Sequence, residues 1–155
     1  MYIFYYCLTG VHTSLVTSAI HLGLLPEDRV PPVEKIINLP NYDRLAYNEI
    51  GQPCWMGTDN EGNKIFSIGV LSEKEVVPKA IQSLLDLYQI PQYQYRLVST
   101  MEYVPYSTAL GGVYLKRMGA GNLGRSVATK GLTRVYPKLV ELVREVKDDL
   151  KNQAP

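Results

Sequence analysis

The sequence predicts an α/β sandwich: one domain over residues 1–155, with a mixed, mainly parallel sheet, a β-hairpin and a helical C-terminal third. Three observations predict it. At Tyr2–Gly23 an apolar run passes through a glycine turn into a stretch with helical apolar spacing. At Thr58–Gly62 a turn rich in Asp, Asn and Gly separates two apolar segments. After Ser72 and again after Leu123, apolar residues recur at i, i+3, i+4.

Tyr2–Cys7 is apolar and aromatic without alternation, as expected of a parallel strand covered on both faces. The helix from Thr13 places Leu15, Val16, Ala19, Ile20 and Leu22 on one face and stops at Gly23, where a left-handed residue closes helices. Pro26, Pro31 and Pro32 make Leu25–Pro32 a loop. Val33–Leu39 is short and apolar and fits either strand or helix; the reading adopted is a strand over Lys35–Leu39, closed by Pro40. Asn41–Gly51 is polar, and reads as irregular or a short helix. Cys54–Gly57 and Asn63–Gly69 are the hairpin strands.

Ser72 and Glu75 form a capping box ahead of the stripe Val76, Val77, Ala80, Ile81, Leu84, Leu85 and Tyr88, with Pro78 near the helix start. Tyr93–Met101 is a further strand, with Glu102–Pro105 at its C-terminal end. Ser107–Met118 reads as a helix despite Gly111-Gly112, and Gly119–Gly124 as a glycine-rich link. From Leu123 to Lys151 the pattern is helical, broken or kinked near Pro137, with Leu139, Val143, Val146 and Leu150 as its buried stripe.

Composition narrows the function classes. Apolar residues make up 46% and charged residues 20%, which excludes a disordered chain. Two cysteines, Cys7 and Cys54, are too few for a disulfide scaffold. With no apolar run of the ~20 residues a span needs, and no leader pattern ahead of the first strand, a cytoplasmic protein without membrane attachment is expected. The net charge of +1 conceals an asymmetry: between Tyr103 and Val140 lie Lys116, Arg117, Arg125, Lys130, Arg134 and Lys138 and no acid. Such a region attracts phosphates or an acidic protein partner, or is simply a solvated helix face. Near-neutrality of the whole chain argues against nucleic acid.

The candidate site is the strand–turn–helix junction Cys7–Ser14. A helix start carries unpaired N–H groups and the positive end of the helix dipole, both of which favour an anion. Two phosphate-loop patterns partly match. Read as a nucleotide-binding loop, Gly10-Val11-His12-Thr13-Ser14 sets His12 at the lysine position and Thr13 at the magnesium-binding hydroxyl, while Tyr6 stands where the early glycine belongs. Read as a phosphatase loop C-x5-R-S, Cys7 is the nucleophile, Ser14 the serine, and Thr13 replaces the arginine. Losing that bidentate cation costs a rate factor of several orders of magnitude unless an arginine from elsewhere, such as Arg117 or Arg125, replaces it.

Cys7, His12 and Glu102 are therefore the candidate catalytic residues: a thiol whose pKa a helix N-terminus lowers, an imidazole on the turn, and a carboxylate just past a strand. Gly10, His12, Thr13, Ser14 and Arg125 are the candidate binding residues. The competing readings are a small buried thiol at a strand end for Cys7, a helix-terminus residue bonding its own turn for His12, and a surface charge for Glu102. His21 is read as structural and Asp59 and Glu61 as turn residues. Cysteine and histidine spacings give no zinc pattern, so no metal site is assigned.

The run YYCLTGVHTSLVTSAIHLGLLP, the hairpin GTDNEGNKIFSIG and the tail LGRSVATKGLTRVYPKLVELV together resemble a small bacterial family catalogued as a domain of unknown function, number 3189 of that series. The similarity spans nearly the whole chain and is most specific at C-x2-G-x-H-[ST]-S. Family members usually carry a second glycine where this chain has Thr9. The resemblance implies a compact cytoplasmic bacterial domain and supplies no activity. The expected function is binding of a phosphorylated small molecule or a nucleotide, with or without magnesium, at Cys7–Ser14, with phosphoryl transfer or hydrolysis as the reaction class. The alternative is a non-catalytic interaction protein whose basic helices within 103–140 bind an acidic partner.

Overall fold

The computed structural model describes residues 1–44, 50–71, 73–105 and 121–153. Four strands, β1 (Tyr2–Cys7), β2 (Cys54–Thr58), β3 (Lys64–Gly69) and β4 (Tyr95–Ser99), form one sheet in the order β2-β3-β1-β4. β1 runs parallel to both of its neighbours, β3 and β4, while β2 pairs antiparallel with β3 at the edge. The sheet is therefore mixed and mainly parallel, with the hairpin at one edge, as the sequence implies.

Alternation along β1 sends Ile3, Tyr5 and Cys7 to one face and Tyr2, Phe4 and Tyr6 to the other. The first face is covered by α1 (Thr13–His21), α2 (Val33–Ile37) and the long α4 (Gly121–Gln153). Their shared core joins Ile3, Tyr5 and Ile65 to Leu15, Val16, Ile20, Ile36, Leu132, Tyr136, Leu139 and Val143. On the opposite face Phe4, Ile68, Val70 and Tyr95 pack with Val77, Ile81 and Leu85 of α3 (Val76–Leu87). Helices thus lie on both faces, and β1, β3 and β4 end at the same edge of the molecule, where α/β sheets present their ligand sites.

Several expectations are corrected by the structure. The Lys35–Leu39 segment is not a strand: Val33–Ile37 is a helix, entered from Pro32 as its N-cap, because Val33, Ile36 and Ile37 fall at i, i+3, i+4 and only Ile36 needs burial. α3 begins at Val76 with Glu75 as its N-cap and no side-chain capping bond, while Ser72 lies outside the described residues. Its apolar stripe is only partly used: Val77, Ile81 and Leu85 meet the sheet, whereas Val76, Leu84 and Tyr88 stay exposed. A single helix lying on a sheet buries one narrow row, at i, i+4, i+8. Pro78 is the third helical residue, where its missing N–H costs no helical bond. The last strand is shorter than Tyr93–Met101, since a 3-10 turn occupies Gln92–Gln94.

The C-terminal helix begins at Gly121, inside the expected glycine link, and continues unbroken through Pro137. Leu139, Val143, Val146 and Leu150 are buried along it. The helix expected over Ser107–Met118, together with Lys116 and Arg117, lies outside the described residues. Gly23 has φ +70° and follows the last turn of α1, which it closes through its N–H to Ile20 O at 3.0 Å. Among the described residues no helix is long and apolar enough to cross a membrane.

Candidate functional site

β1 ends at Cys7, directly opposite Gly69 at the end of β3. The turn after it has to fold back over β3 to start α1, and two glycines permit this. A Cβ on Gly10 would lie 2.5 Å from Gly69 N, and a Cβ on Gly69 would lie 2.6 Å from Thr9 O. Gly10 also has φ +76°, a conformation other residues rarely adopt. Ser67, two residues before the end of β3, fixes the turn from the side, with its Oγ 2.6 Å from Gly10 O and 2.8 Å from Ser14 Oγ.

Cys7 sits under this turn at 1% exposure. Its Sγ lies 3.0 Å from Ser14 Oγ and accepts the Gly10 N–H at 3.2 Å. Burial pushes the thiol pKa up, but hydrogen bonds from the Ser14 and Thr13 hydroxyls and from the Ser14 and Gly10 N–H groups outweigh it and hold the thiol below its ordinary range. Ser67 shares its single proton between Gly10 O and Ser14 Oγ, and the Ser14 hydroxyl keeps its own proton for the Cys7 sulfur.

On the other side of the turn, His12 is held by both ring nitrogens. Nδ1 lies 3.0 Å from Thr9 Oγ1 and Nε2 3.0 Å from Asp43 Oδ1. All three residues are at least nine-tenths buried. Asp43 belongs to a segment, 41–44, that clasps the turn: its N–H donates to Val11 O at 3.3 Å, and the Tyr42 ring meets the His12 ring edge-on at 5.6 Å. Asn41 and Asp43 adopt left-handed φ of 63° and 57°, so this segment holds backbone strain of the kind that collects at functional sites.

Between the turn, the 41–44 segment and the hairpin lies a cavity of about 590 Å³. Thr9, Gly10, Asn41, Arg44, Gln52 and Ser67 are among its lining residues, and Arg44 is the one cation on that wall among the described residues. The volume falls in the range of small-molecule sites. The N-terminus of α1 has no side-chain cap, and among the described residues no backbone carbonyl accepts the N–H of Val11 or His12.

Cys7, Gly10, His12, Thr13 and Ser14 are thus brought together in one buried turn, but not as a set of open donors. The Ser14 hydroxyl is engaged with Cys7 and Ser67, and the Thr13 hydroxyl with Thr100 Oγ1 at 3.1 Å. Glu102 is not part of this cluster. It sits on an exposed 3-10 turn, Met101–Tyr103, and the residue from that strand end that reaches the turn is Thr100, which also bonds Tyr6 O at 3.0 Å. Arg125 points elsewhere too: its guanidinium donates to Ile37 O at 2.9 Å and lies over the Tyr42 ring, which separates it from His12.

Sequence reasoning missed Thr9, Asp43, Arg44, Ser67 and Thr100 as site residues. Only Thr9 lies within the Cys7–Ser14 stretch; the others reach the turn from separate segments, and no local pattern marks them. His21 and Asp59 lie where structural roles were expected, at the far end of α1: Tyr5 Oη is 2.8 Å from His21 Nδ1, and His21 Nε2 is 3.1 Å from Asp59 Oδ2. Asp59 also accepts the N–H groups of Glu61 and Asn63 and so shapes the hairpin turn. Among the described residues no group of three or more His, Cys, Asp and Glu is arranged to hold a metal.

The model of the family described as "Protein of unknown function (DUF3189)" matches residues 2–148, and the chain belongs to that family. Comparison with curated proteins and with solved structures found no match.

Proposed function

We propose that this domain binds a phosphate-bearing small molecule, a nucleotide or phosphorylated metabolite, in the cavity beside the Cys7–Ser14 turn. The observation that carries the reading is the position of Arg44. The turn follows C-x5-R-S except that Thr13 stands at the arginine, and Arg44, brought in by the strained 41–44 segment, lines the cavity next to Gly10. Its guanidinium can clamp two phosphate oxygens. The positive end of α1 and the N–H groups of Val11 and His12 add to the attraction. If the ligand is turned over, phosphoryl transfer or hydrolysis is the class that suits a low-pKa thiol on such a turn.

A thermal-shift series with inorganic phosphate, sulfate, adenine nucleotides with and without magnesium, and sugar phosphates tests this. A ligand at ~100 times its dissociation constant stabilises the fold by roughly 2.7 kcal/mol. Arg44 is exposed, so Arg44→Ala is expected to fold normally and to lose at least tenfold in affinity. Equal shifts in wild type and Arg44→Ala, or no shift with any phosphate, remove the reading.

One observation favours a second reading. Lys130, Arg134 and Lys138 recur at i, i+4, i+8 on α4 and are all exposed, forming a basic stripe. A non-catalytic role in docking an acidic partner would use that stripe. Reversing the three charges would abolish such binding and leave phosphate shifts unchanged.

A further inference from the structure

We propose that Thr9, His12 and Asp43 form a nucleophile–base–carboxylate relay, with the Thr9 hydroxyl as the reactive group facing the cavity and an ester of a small carboxylic acid as the class of substrate. This goes beyond the phosphate reading: it shares the cavity but needs no phosphate.

The distances are those of a hydrolytic triad, with the two ring nitrogens in exchanged roles. A hydroxyl lies 3.0 Å from one imidazole nitrogen, and a carboxylate lies 3.0 Å from the other. These are the distances that identify an activated nucleophile with an oriented base. The tautomer follows from the partners. A carboxylate only accepts, so His12 Nε2 carries the proton and donates it to Asp43; Nδ1 is left with its lone pair and receives the Thr9 hydroxyl proton. His12 and Asp43 are buried, which keeps water from competing for either contact, while Thr9 and Arg44 both line the cavity. The Tyr42 ring against the edge of His12 and the Asp43 N–H to Val11 O hold imidazole and carboxylate in register. Thr9 is thus the member of the relay that lines the cavity.

The reaction balances without a cofactor. Thr9 Oγ1 attacks the ester carbonyl carbon as its proton passes to His12 Nδ1. Asp43 stabilises the imidazolium through Nε2–H, and Arg44, the cation on the cavity wall, is the charge available to the oxyanion. Collapse of the tetrahedral adduct breaks the carbon–oxygen bond to the alcohol, which leaves with the proton from Nδ1. Water, deprotonated by the same nitrogen, then attacks the threonyl ester and releases the acid, restoring Thr9. In this scheme Thr9 is the catalytic nucleophile, His12 the base, and Asp43 a positioning residue.

The test is covalent labelling of the whole chain with a fluorophosphonate, which captures activated hydroxyls: an oxygen–phosphorus bond forms at Thr9, fluoride leaves, and the proton goes to His12. Intact mass followed by peptide mapping is expected to show one adduct, on Thr9. Thr9→Ser is expected to retain it and Thr9→Val to abolish it. Asp43→Asn, which favours the wrong tautomer, is expected to slow labelling by at least about a hundredfold, with circular dichroism confirming the fold. No adduct on Thr9, an adduct on another residue that persists in Thr9→Val, or an unchanged rate in folded Asp43→Asn overturns the proposal. Because the probe needs no bound anion, its failure is separate from a failure of the phosphate series.

Discussion

If the turn over Cys7 is held by its close approach to β3, then Gly10→Ala must cost far more than an ordinary glycine substitution. Two effects are combined at Gly10. Its φ of +76° puts an L-residue in the left-handed region, which costs roughly 1–2 kcal/mol. Its Cβ would also lie 2.5 Å from Gly69 N and 2.9 Å from Ile68 C, both backbone atoms that cannot swing aside. Forced overpacking costs about 1–3 kcal/mol, and rigid neighbours place this case at the upper end. Gly23 supplies the control, because its φ is +70° but nothing lies within 4 Å of a Cβ there. Gly23→Ala therefore isolates the backbone cost, about 1–2 kcal/mol, and Gly10→Ala should cost about 3–5 kcal/mol. For a chain of this size that is a fall in melting temperature of roughly 6–20 °C, against about 2–8 °C for the control. Gly69→Ala probes the same gap from the other side, through Thr9 O at 2.6 Å. Once one methyl has pushed the turn off β3 the second adds little, so the double variant should fall short of additivity by more than ~0.5 kcal/mol. Urea denaturation followed by circular dichroism measures all four proteins. A Gly10→Ala variant no less stable than Gly23→Ala, or strict additivity of the pair, would refute the pinned turn.

Two further predictions follow from buried side chains. Burial lowers the His21 pKa below its usual 6.5, against the raising effect of Asp59, so the folded protein binds fewer protons there than the unfolded chain. Its contribution is complete above about pH 6.5 and is lost as pH falls from there toward the folded value; the urea midpoint should drop between pH 7 and pH 5 in wild type and drop less in His21→Gln, and equal drops would show that another group governs this limb. The thiols should separate kinetically: Cys54 is half-exposed on β2 and Cys7 is buried, so a disulfide reagent should modify Cys54 in a fast phase and Cys7 on the order of a hundredfold more slowly, at a rate set by opening of the turn. A single fast phase for both thiols would contradict the closed turn.

What the sequence made legible was local. β1, its glycine turn and α1 are read correctly because strand, turn and helix signals follow one another within Tyr2–Gly23, and the hairpin because Asp59, Asn60 and Gly62 fall within one short turn. Gly10 is recognisable as a turn glycine, but the reason it must be glycine is Gly69, which along the chain is only the last residue of a strand. Val33–Ile37 fails as a strand because five residues hold too few periods to separate 2.0 from 3.6. Arg125 is absent from the turn for a different reason. A basic region states how much charge is present and not where each guanidinium ends, and the carbonyl left open at the end of α2 takes this one. Asp43 reaches His12 across 31 positions and Arg44 reaches the cavity beside it. Neither belongs to any motif, so only the folded chain joins them to the turn.

That division bears on how an anion could be held here. The sequence pattern alone has the helix start at Thr13 offering its N–H groups and hydroxyls to a ligand, yet the structure gives it an internal acceptor, the Cys7 sulfur, which takes the N–H of Gly10 and sits against Ser14. An external anion beside an ionised sulfur meets a like charge in a poorly screened site, where the two repel several times more strongly than in water. A neutral thiol removes that conflict. Binding of an anion in the cavity therefore favours the protonated thiol, and ionisation of Cys7 favours an empty cavity, unless a cation stands between the two. Among the described residues Arg44 is the one cation on the cavity wall, so it is the group available to offset that repulsion, and it belongs to no motif of the turn.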